Sequence, residues 1–260
     1  MGDEYEESEH RTAVNPDHVP PVPRSAATVM LLRDAPGGLE VYMTRRSAKS
    51  RFVPEVFVFP GGRVDDGDRS ARILARLVGT GDGRLDAGLT IAAVRELFEE
   101  AGILLARQRE EPGTLNLHEL GHWRAKLAAG EKAFADFIEE RDLVIDASGI
   151  VPYSNWITPI SEPIRFDTHF FVARAPEDQE AIADAYEVYD GRWIAPKEAL
   201  ALADGGALRM IFPTYMHLTR LAQADSVEAM LAAARAQRID PILPVFLANG
   251  EPVLPSGTDW

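Results

Sequence analysis

The segment that decides the fold is Ile91-Ala-Ala-Val-Arg-Glu-Leu-Phe-Glu-Glu-Ala-Gly-Ile-Leu-Leu105, within a chain of 260 residues. At about 100° per residue, one stripe of a helix here carries the apolar residues Ile91, Val94, Leu97, Phe98, Ala101, Leu104 and Leu105. Glu96, Glu99 and Glu100 fall on the opposite side, within an arc of about 100°. The spacing predicts a helix over Thr90–Arg107, with Thr90 as its N-cap, that buries the apolar stripe.

The three carboxylates on one helix face call for an explanation. Like charges at i, i+3 and i+4 destabilise a helix by ~0.2–0.5 kcal/mol per pair, and Arg95, four residues before Glu99, offsets only part of that. A divalent cation would reverse the sign of the arrangement, because Mg²⁺ prefers carboxylate, water and phosphate oxygens as ligands. The alternative is an acidic face in solvent.

Short apolar runs on both sides of this helix predict strands. Ala26–Leu32 and Leu39–Thr44 flank a turn at 34–38 and predict a hairpin. Further strands are expected at Phe52–Phe59, 150–158, 165–174 and 192–195. Further helices are expected within 70–78 and 112–145, from Pro196, and over Ile211–Gln223 and Ser226–Arg238. The C-terminal segment after them is expected to be extended. The alternation predicts an α/β fold with a mixed sheet and helical additions.

Composition limits the function. Lys and Arg number 27 against 41 Asp and Glu, a net charge of −14, which disfavours nucleic acid as a partner. The absence of cysteine excludes disulfides and thiolate catalysis. No run approaches the ~20 apolar residues of a membrane span, and the acidic start Met1-Gly2-Asp3-Glu4 is unlike a secretory signal, so we expect a cytoplasmic protein with no membrane partner.

Around the acidic helix the chain resembles the Nudix hydrolases, whose signature is Gly-x5-Glu-x7-Arg-Glu-U-x-Glu-Glu-x-Gly-U, with U a bulky apolar residue. Arg95, Glu96, Leu97, Glu99, Glu100, Gly102 and Ile103 match its second half, and Phe59-Pro60-Gly61-Gly62 is the usual lead-in. The sixth residue after Gly62 is Asp68, where the family has Glu. Asp68 precedes Arg95 by 27 residues where the pattern allows eight, so about 19 are inserted. Either Asp68 takes the role of the first Glu, or that role is lost.

The resemblance implies an α/β/α sandwich with a mixed sheet, which hydrolyses a nucleoside diphosphate linked to another group. Glu96, Glu99, Glu100 and the carbonyl of Gly61 would hold Mg²⁺ or Mn²⁺, with Glu99 and Glu96 catalytic. Arg95 would fix a carboxylate, and Gly62, Asp68 and Gly102 would be structural parts of the motif. On this basis residues 1–24 are a tail, 25–200 the Nudix domain with insertions at about 67–88 and 112–145, and 201–260 a C-terminal helical extension and tail. Many relatives dimerise, so a homodimer is a further expectation.

Other stretches are similar to the coenzyme A diphosphatase-like subgroup: Thr44-Arg45-Arg46-Ser47, Arg51-Phe52-Val53-Pro54, Trp156-Ile157-Thr158-Pro159 and Arg165-Phe166-Asp167-Thr168. This implies coenzyme A or an acyl-coenzyme A as a small-molecule diphosphate substrate. Arg45, Arg51 and Arg165 are candidate phosphate contacts, although Arg165 equally suits a structural ion pair with Asp167 or another acid. Glu187 is the candidate for a further catalytic residue, as a metal ligand or base, with Asp190 second, and the alternative is an acidic residue in a solvated loop. Trp156, Phe166, Phe170 and Phe171 fit core positions better than an adenine stack.

ADP-ribose or a nucleotide sugar is an alternative substrate, and a binding module with impaired catalysis is an alternative function.

A second motif points elsewhere. His118-Glu119-Leu120-Gly121-His122 reads His-Glu-x-x-His, which on a helix places two imidazoles on one face, as in zinc peptidases. The third His of the extended motif is missing, since Ala125 and Ala128 stand where it requires Gly and His, although Glu139 or Glu140 could serve as a third ligand. The other interpretation is an amphipathic helix that buries Leu117, Leu120 and Leu127.

Overall fold

The computed structural model describes residues 19–50, 53–79, 86–110, 116–184, 188–258 and 260. Its main sheet has the strand order β10-β2-β1-β9-β8-β11, with β3 paired to β2 and β4 to β1. The strands are β1 (Arg24–Ala35), β2 (Gly38–Arg46), β3 (Phe57–Val58), β4 (Gly61–Arg63), β8 (Ile150–Ile157), β9 (Phe166–Arg174), β10 (Val188–Ile194) and β11 (Pro241–Ile242). β1 runs parallel to β9 and antiparallel to β2, so the predicted mixed sheet and hairpin are confirmed.

The predicted third strand is shorter than expected. Of its described residues only Phe57 and Val58 pair with β2. Val53 and Glu55 have positive φ angles of 41° and 62°, which a strand does not allow and which a β-branched residue such as Val53 rarely adopts. The prediction of a strand over Phe52–Phe59 is therefore wrong at 53–56, and Phe52 lies outside the described residues.

The acidic helix, α2 (Ala87–Ala101), begins three residues before the predicted Thr90 and ends well before Arg107. The side chain of Asp86, and not Thr90, caps it by accepting a hydrogen bond from the Gly88 N–H at 2.7 Å. Gly102 ends it in the left-handed conformation, with φ 72°. The apolar stripe is buried as predicted, from Ile91 to Ala101.

Two helical layers cover the sheet. On one face α2 packs on the side chains of Val29 and Leu31 from β1. On the other face Met30 and Leu32 pack with residues of the C-terminal helices α5 (Pro196–Asp204), α6 (Phe212–Leu221) and α7 (Val227–Ala236). Alternate residues of β1 thus face opposite layers, which gives the predicted α/β/α order. Pro196 occupies the first turn of α5 as predicted, and the predicted pair of C-terminal helices is confirmed.

The two predicted insertions pack against each other. The first supplies α1 (Ala71–Leu74) and β5 (Leu77–Val78), and the second supplies α3 (Leu117–Ala128), α4 (Phe134–Glu140) and β7 (Leu143–Asp146). β7 joins β5 to β6 (Ala106–Gln108) in a separate three-stranded sheet. Arg72 of α1 also bonds Asp136 and Glu139 of α4, at 2.8 and 2.6 Å. The insertions therefore form one structure beside α2.

The chain after α7 is mostly extended, as predicted. β11 adds to the edge of the main sheet, and β12 (Val245–Phe246) pairs with β13 (Pro252–Val253) in a small hairpin. Within the described residues, no helix has both the length and the apolar character that a bilayer crossing requires.

Candidate active site

A cavity of about 620 Å³ opens at one end of the main sheet, between α2 and the C-terminal helices. Its floor is formed by β1, β8, β9 and the glycines of β4, and the acidic residues of α2 lie along one side. The lining residues from these elements include Ala26, Thr28, Gly61, Gly62, Arg95, Glu96, Glu99, Glu100, Trp156 and Phe170. The cavity is thus built where the two halves of the signature meet.

The carboxylates of α2 face this cavity and do not form an acidic surface in solvent. Glu100 is 8% exposed, and the side chain of Glu96 is 12% exposed. Glu99 is more open, with a side-chain exposure of 33%. The alternative of a solvated helix face is therefore wrong.

Arg95 organises these acids from within the same helix. Its Nη1 donates to Glu96 Oε1 at 2.9 Å and to Glu99 Oε2 at 3.1 Å, and its Nη2 donates to the carbonyl of Arg63 at 2.8 Å. Nε and Nη2 also donate to the two oxygens of Asp68, both at 2.9 Å. Burial alone would lower the pKa of Arg95, but the hydrogen bonds to Asp68 and the charges around it outweigh burial, so its pKa is raised. Arg95 is a permanent cation at the base of the acidic cluster.

The two glycines of β4 allow the strand and the helix to approach closely. The Gly61 N–H donates to Glu100 Oε2 at 2.9 Å. A Cβ on Gly62 would lie 2.6 Å from the carboxylate carbon of Glu96, which is far inside van der Waals contact. Glycine at 62 thus permits the Glu96 carboxylate to lie against the strand backbone.

The chemistry of this donor set fits a hard divalent cation, since it consists of carboxylates beside the Gly61 peptide. Among the described residues, no group of three or more His, Asp or Glu side chains is already arranged as a metal site. Arg95 and the Gly61 N–H draw oxygens of the three glutamates toward different partners. Rotation of these side chains would be needed to direct them at one ion.

Arg124 of α3 braces the C-terminal end of α2 and was not predicted. Its Nε donates to the Glu99 carbonyl at 2.8 Å, and its Nη1 donates to the Ile182 carbonyl at 2.7 Å. The Ile182 N–H in turn donates to the Ala101 carbonyl at 2.8 Å. Two of the carbonyls that a helix leaves unpaired at its end are thereby satisfied. Burial lowers the pKa of Arg124, against the effect of nearby acidic groups, Asp184 first among them.

Two of the three predicted phosphate contacts, Arg45 and Arg165, do not line the cavity. Arg45 lies outside the cavity lining and forms an ion pair with Glu55 at 2.5 Å. Its neighbour Arg46, together with Arg63, lines the cavity instead. No local signal distinguishes Arg45 from Arg46, because the choice depends on which face of β2 turns to the site.

Arg165 lies outside the cavity lining and bonds the protein backbone. It is 8% exposed, and its Nε and Nη1 donate to the carbonyls of Thr158 and Pro21, both at 3.0 Å. The predicted alternative was an ion pair with Asp167 or another acid. Among the described residues Arg165 forms no such pair, and Asp167 bonds Asn155 instead. Arg165 thus fastens the N-terminal segment to the β8–β9 connection.

Two candidate residues, Arg51 and Glu187, lie outside the described residues. Asp190, the second choice after Glu187, is exposed and bonds Arg192, away from the cavity lining. Of the four predicted core aromatics, Phe171 is fully buried, while Trp156, Phe166 and Phe170 also form cavity wall.

The His-Glu-x-x-His motif lies on α3, and among the described residues it is not part of any group of three side chains that could hold a metal. His118 and His122 are exposed, and Glu119 forms an ion pair with Arg141 at 2.6 Å. Leu120 and Trp123 bury the other side of the helix. The amphipathic interpretation accounts for this segment without a zinc ion.

Comparison with known proteins gives one family. A family model described as the NUDT19 Nudix domain matches residues 80–221. The chain is 28% identical to acyl-coenzyme A diphosphatase NUDT19 of Gallus gallus, over 78% of this chain and 69% of that protein. It is 26% identical to the protein of the same name from Homo sapiens, over 82% of this chain and 69% of that protein. The crystal structure of a Nudix hydrolase from Alicyclobacillus acidocaldarius superposes with a TM-score of 0.72 and 26% identity, over 84% of this chain and 99% of the other.

Proposed function

Because the chain belongs to the Nudix hydrolases, in the group that the NUDT19 Nudix domain defines, we propose that it cleaves the diphosphate bridge of coenzyme A or of an acyl-coenzyme A. The observation that carries this proposal is the cluster of Glu96, Glu99 and Glu100 on one wall of the cavity, organised by Arg95. The names of the relatives, acyl-coenzyme A diphosphatases, support the choice of substrate.

Glu96, Glu99 and Glu100, with the carbonyl of Gly61, would hold Mg²⁺ or Mn²⁺. When bound, such an ion neutralises phosphate charge and lowers the pKa of a coordinated water. Without it, a cavity wall of three carboxylates would repel a diphosphate. The residues therefore make binding of the substrate depend on the cation.

The chain's own groups orient the reaction. Arg95 fixes the direction of the Glu96 and Glu99 carboxylates through hydrogen bonds of 2.9 and 3.1 Å. Glu99 is the most exposed of the three and is suited to accept a proton from the attacking water. Water adds to one phosphorus, the bridging P–O bond breaks, and two phosphate monoesters leave. For coenzyme A these are adenosine 3′,5′-bisphosphate and 4′-phosphopantetheine.

The test is a panel of coenzyme A, octanoyl-coenzyme A and ADP-ribose, each with Mg²⁺ or Mn²⁺, with products identified by mass in ¹⁸O-labelled water. We expect cleavage of the coenzyme A compounds, with the label in one product showing which phosphorus is attacked. Preferential cleavage of ADP-ribose would show that ADP-ribose, and not a coenzyme A compound, is the substrate. Binding of all three compounds without cleavage would mean that catalysis is impaired.

Two variants separate catalysis from folding. Glu99→Gln and Glu100→Gln should each lower kcat by at least about 100-fold, the usual range for loss of a catalytic carboxylate. Glu198→Gln is the matched control, because Glu198 is exposed on α5 and lies outside the cavity lining. Full activity in both Glu99→Gln and Glu100→Gln would refute the proposal.

A further inference from the structure

The cavity has a basic side and an apolar side, and the sheet keeps them apart. Arg46 at the end of β2 and Arg63 on β4 line it on one side of β1. Trp156 on β8 and Phe170 on β9 line it on the other side. Since β1 and β9 lie between β2 and β8, three strand spacings of about 4.8 Å separate the two ends by roughly 14 Å. The acidic residues of α2 border the cavity beside β4, on the basic side of β1.

The C-terminal extension closes the apolar end. Phe212, at the start of α6, packs edge-on against Trp156 with ring centroids 6.0 Å apart. In the β12–β13 hairpin, Phe246 lies opposite Pro252, and both line the cavity. Val245 lies opposite Val253, and neither lines it. The hairpin therefore presents one of its two cross-strand pairs to the site, and it lies beyond the residues that the family model matches.

The charges of this end decide what it can bind. Among the described residues that line it beyond β9, the charged side chain is Glu162, an acid. A phosphate group placed here would lose hydration without gaining a cation, which is costly. An apolar chain placed here gains free energy in proportion to the area it buries.

The substrate has two arms of matching character. The nucleotide arm of coenzyme A carries a ribose phosphate and requires cations, whereas the pantetheine arm is uncharged and ends in a thiol or an acyl chain. Resting on the proposed function, we propose that the apolar end binds the acyl-pantetheine arm and that Phe246 of the hairpin selects for acyl chains. The nucleotide arm then lies toward Arg46 and Arg63.

The test measures binding, so that it does not depend on catalysis. Isothermal titration with Mg²⁺ present compares the dissociation constants of coenzyme A and octanoyl-coenzyme A, each as a non-hydrolysable analogue in which a methylene group replaces the bridging diphosphate oxygen. In the wild type we expect octanoyl-coenzyme A to bind at least about tenfold more tightly, since burial of several methylenes favours it. In Phe246→Ala that ratio should fall by about tenfold, and in Val245→Ala it should stay within about twofold of the wild type.

A second variant guards against misfolding of the first. Phe246→Trp fills more of the cavity and should shift the preference toward acetyl- over octanoyl-coenzyme A, with thermal unfolding confirming a folded protein. Equal affinities for coenzyme A and octanoyl-coenzyme A in the wild type would overturn the inference. So would an equal loss of both affinities in Phe246→Ala, which would place the adenine at this end. Selective binding without hydrolysis would leave the inference standing while the proposed function fails.

Discussion

Asp68 and Arg95 form a two-point ion pair, with Nε and Nη2 of Arg95 each 2.9 Å from one carboxylate oxygen of Asp68. The two residues are 27 positions apart, and Asp68 is 3% exposed. The insertion between them is accommodated outside the site, where its helix α1 and strand β5 pack with the second insertion. The long insertion left open whether any residue replaces the first Glu of the signature. The Asp68 carboxylate lies beside Arg95 despite that insertion.

Replacing Asp68 with alanine should be strongly destabilising. Arg95 would stay buried and lose both bonds to Asp68, which should cost about 1.5–3 kcal/mol, because Glu96 and Glu99 still balance its charge. Urea denaturation of Asp68→Ala measures the loss. Asp66→Ala is the control, because Asp66 lies exposed in the same short turn, and it should change the free energy of unfolding by no more than about 0.5 kcal/mol. Equal stability of the two variants would show that the pair contributes nothing.

The two glycines of β4 should respond differently to an added methyl group. In Gly62→Ala the new Cβ meets the end of the flexible Glu96 side chain, at 2.6 Å. The carboxylate can move away, so the protein should stay within about 1 kcal/mol of wild-type stability while kcat/KM falls by about tenfold or more. In Gly61→Ala the Cβ meets the backbone oxygen of Ala27 at 2.5 Å, so the loss should be one of stability, about 1–3 kcal/mol.

Gly67→Ala is the control for both substitutions, since a Cβ there meets no atom within 4 Å. Steady-state kinetics and thermal unfolding of the three variants separate the two effects. Unchanged kinetics in Gly62→Ala would mean that the position of the Glu96 carboxylate is unimportant.

Periodicity predicted the parts of the fold that local sequence determines. The apolar stripe of α2, the β1–β2 hairpin, the β8 and β9 strands and the C-terminal helices all follow from residue spacing. The bounds of α2 do not follow from residue spacing, because the Asp86 cap and the turn at Gly102 lie outside the periodic pattern. The motif also predicted which acids face the cavity, since Glu96, Glu99 and Glu100 share one helix face.

Contacts between distant segments could not be predicted. β5 pairs with β7 through Leu77 and Ile145. Both strands are too short for their own residue pattern to predict them. The sequence does not show which group a basic residue will bind. Arg165 was therefore predicted to contact phosphate, whereas it donates to the Pro21 carbonyl. Arg124 lies two residues beyond the His118–His122 motif, and nothing in its local sequence indicates that it contacts α2. The apolar wall at Phe246 depends on a hairpin whose strands are two residues long.

Arg124 should control the order of the segment at Ile182. In Arg124→Met the Ile182 carbonyl loses its donor, and the Ile182 N–H bond to Ala101 loses its neighbouring support. We expect faster amide hydrogen exchange at Ile182, by about tenfold for a loss of roughly 1.4 kcal/mol. Because Arg124 also holds the Glu99 carbonyl, kcat should fall in the same variant.

His122→Gln is the matched control on the same helix, because His122 is exposed. It should leave both the exchange rate at Ile182 and the hydrolase activity unchanged. If Arg124→Met exchanges like the wild type at Ile182, the arginine does not hold this segment. Loss of activity in His122→Gln would instead revive a role for the His-Glu-x-x-His motif.

His217 should make the protein sensitive to acid. It is fully buried, stacks on Phe170 of the cavity wall with ring centroids 4.1 Å apart, and bonds Ser154 Oγ through Nε2 at 2.7 Å. Its Nδ1 lies 2.6 Å from the Pro213 carbonyl. Because a carbonyl only accepts, Nδ1 carries the proton and Nε2 accepts from Ser154. Burial lowers the pKa of His217 to about 3, against the smaller effect of the Pro213 carbonyl.

The sign of the pH dependence follows from that lowered pKa. Between pH 6.5 and 3 the unfolded chain binds a proton at His217 and the folded protein does not, so stability falls as the pH falls, by up to about 1.4 kcal/mol per unit. His217→Gln does not titrate and should be less stable than the wild type at pH 7, by a gap that narrows steadily from pH 6.5 to pH 4. Urea denaturation across this range measures the gap. His118→Gln, which removes an exposed histidine, should run parallel to the wild type. A constant gap for His217→Gln would mean that His217 binds its proton over the same pH range in the folded protein as in the unfolded chain, so that burial does not lower its pKa.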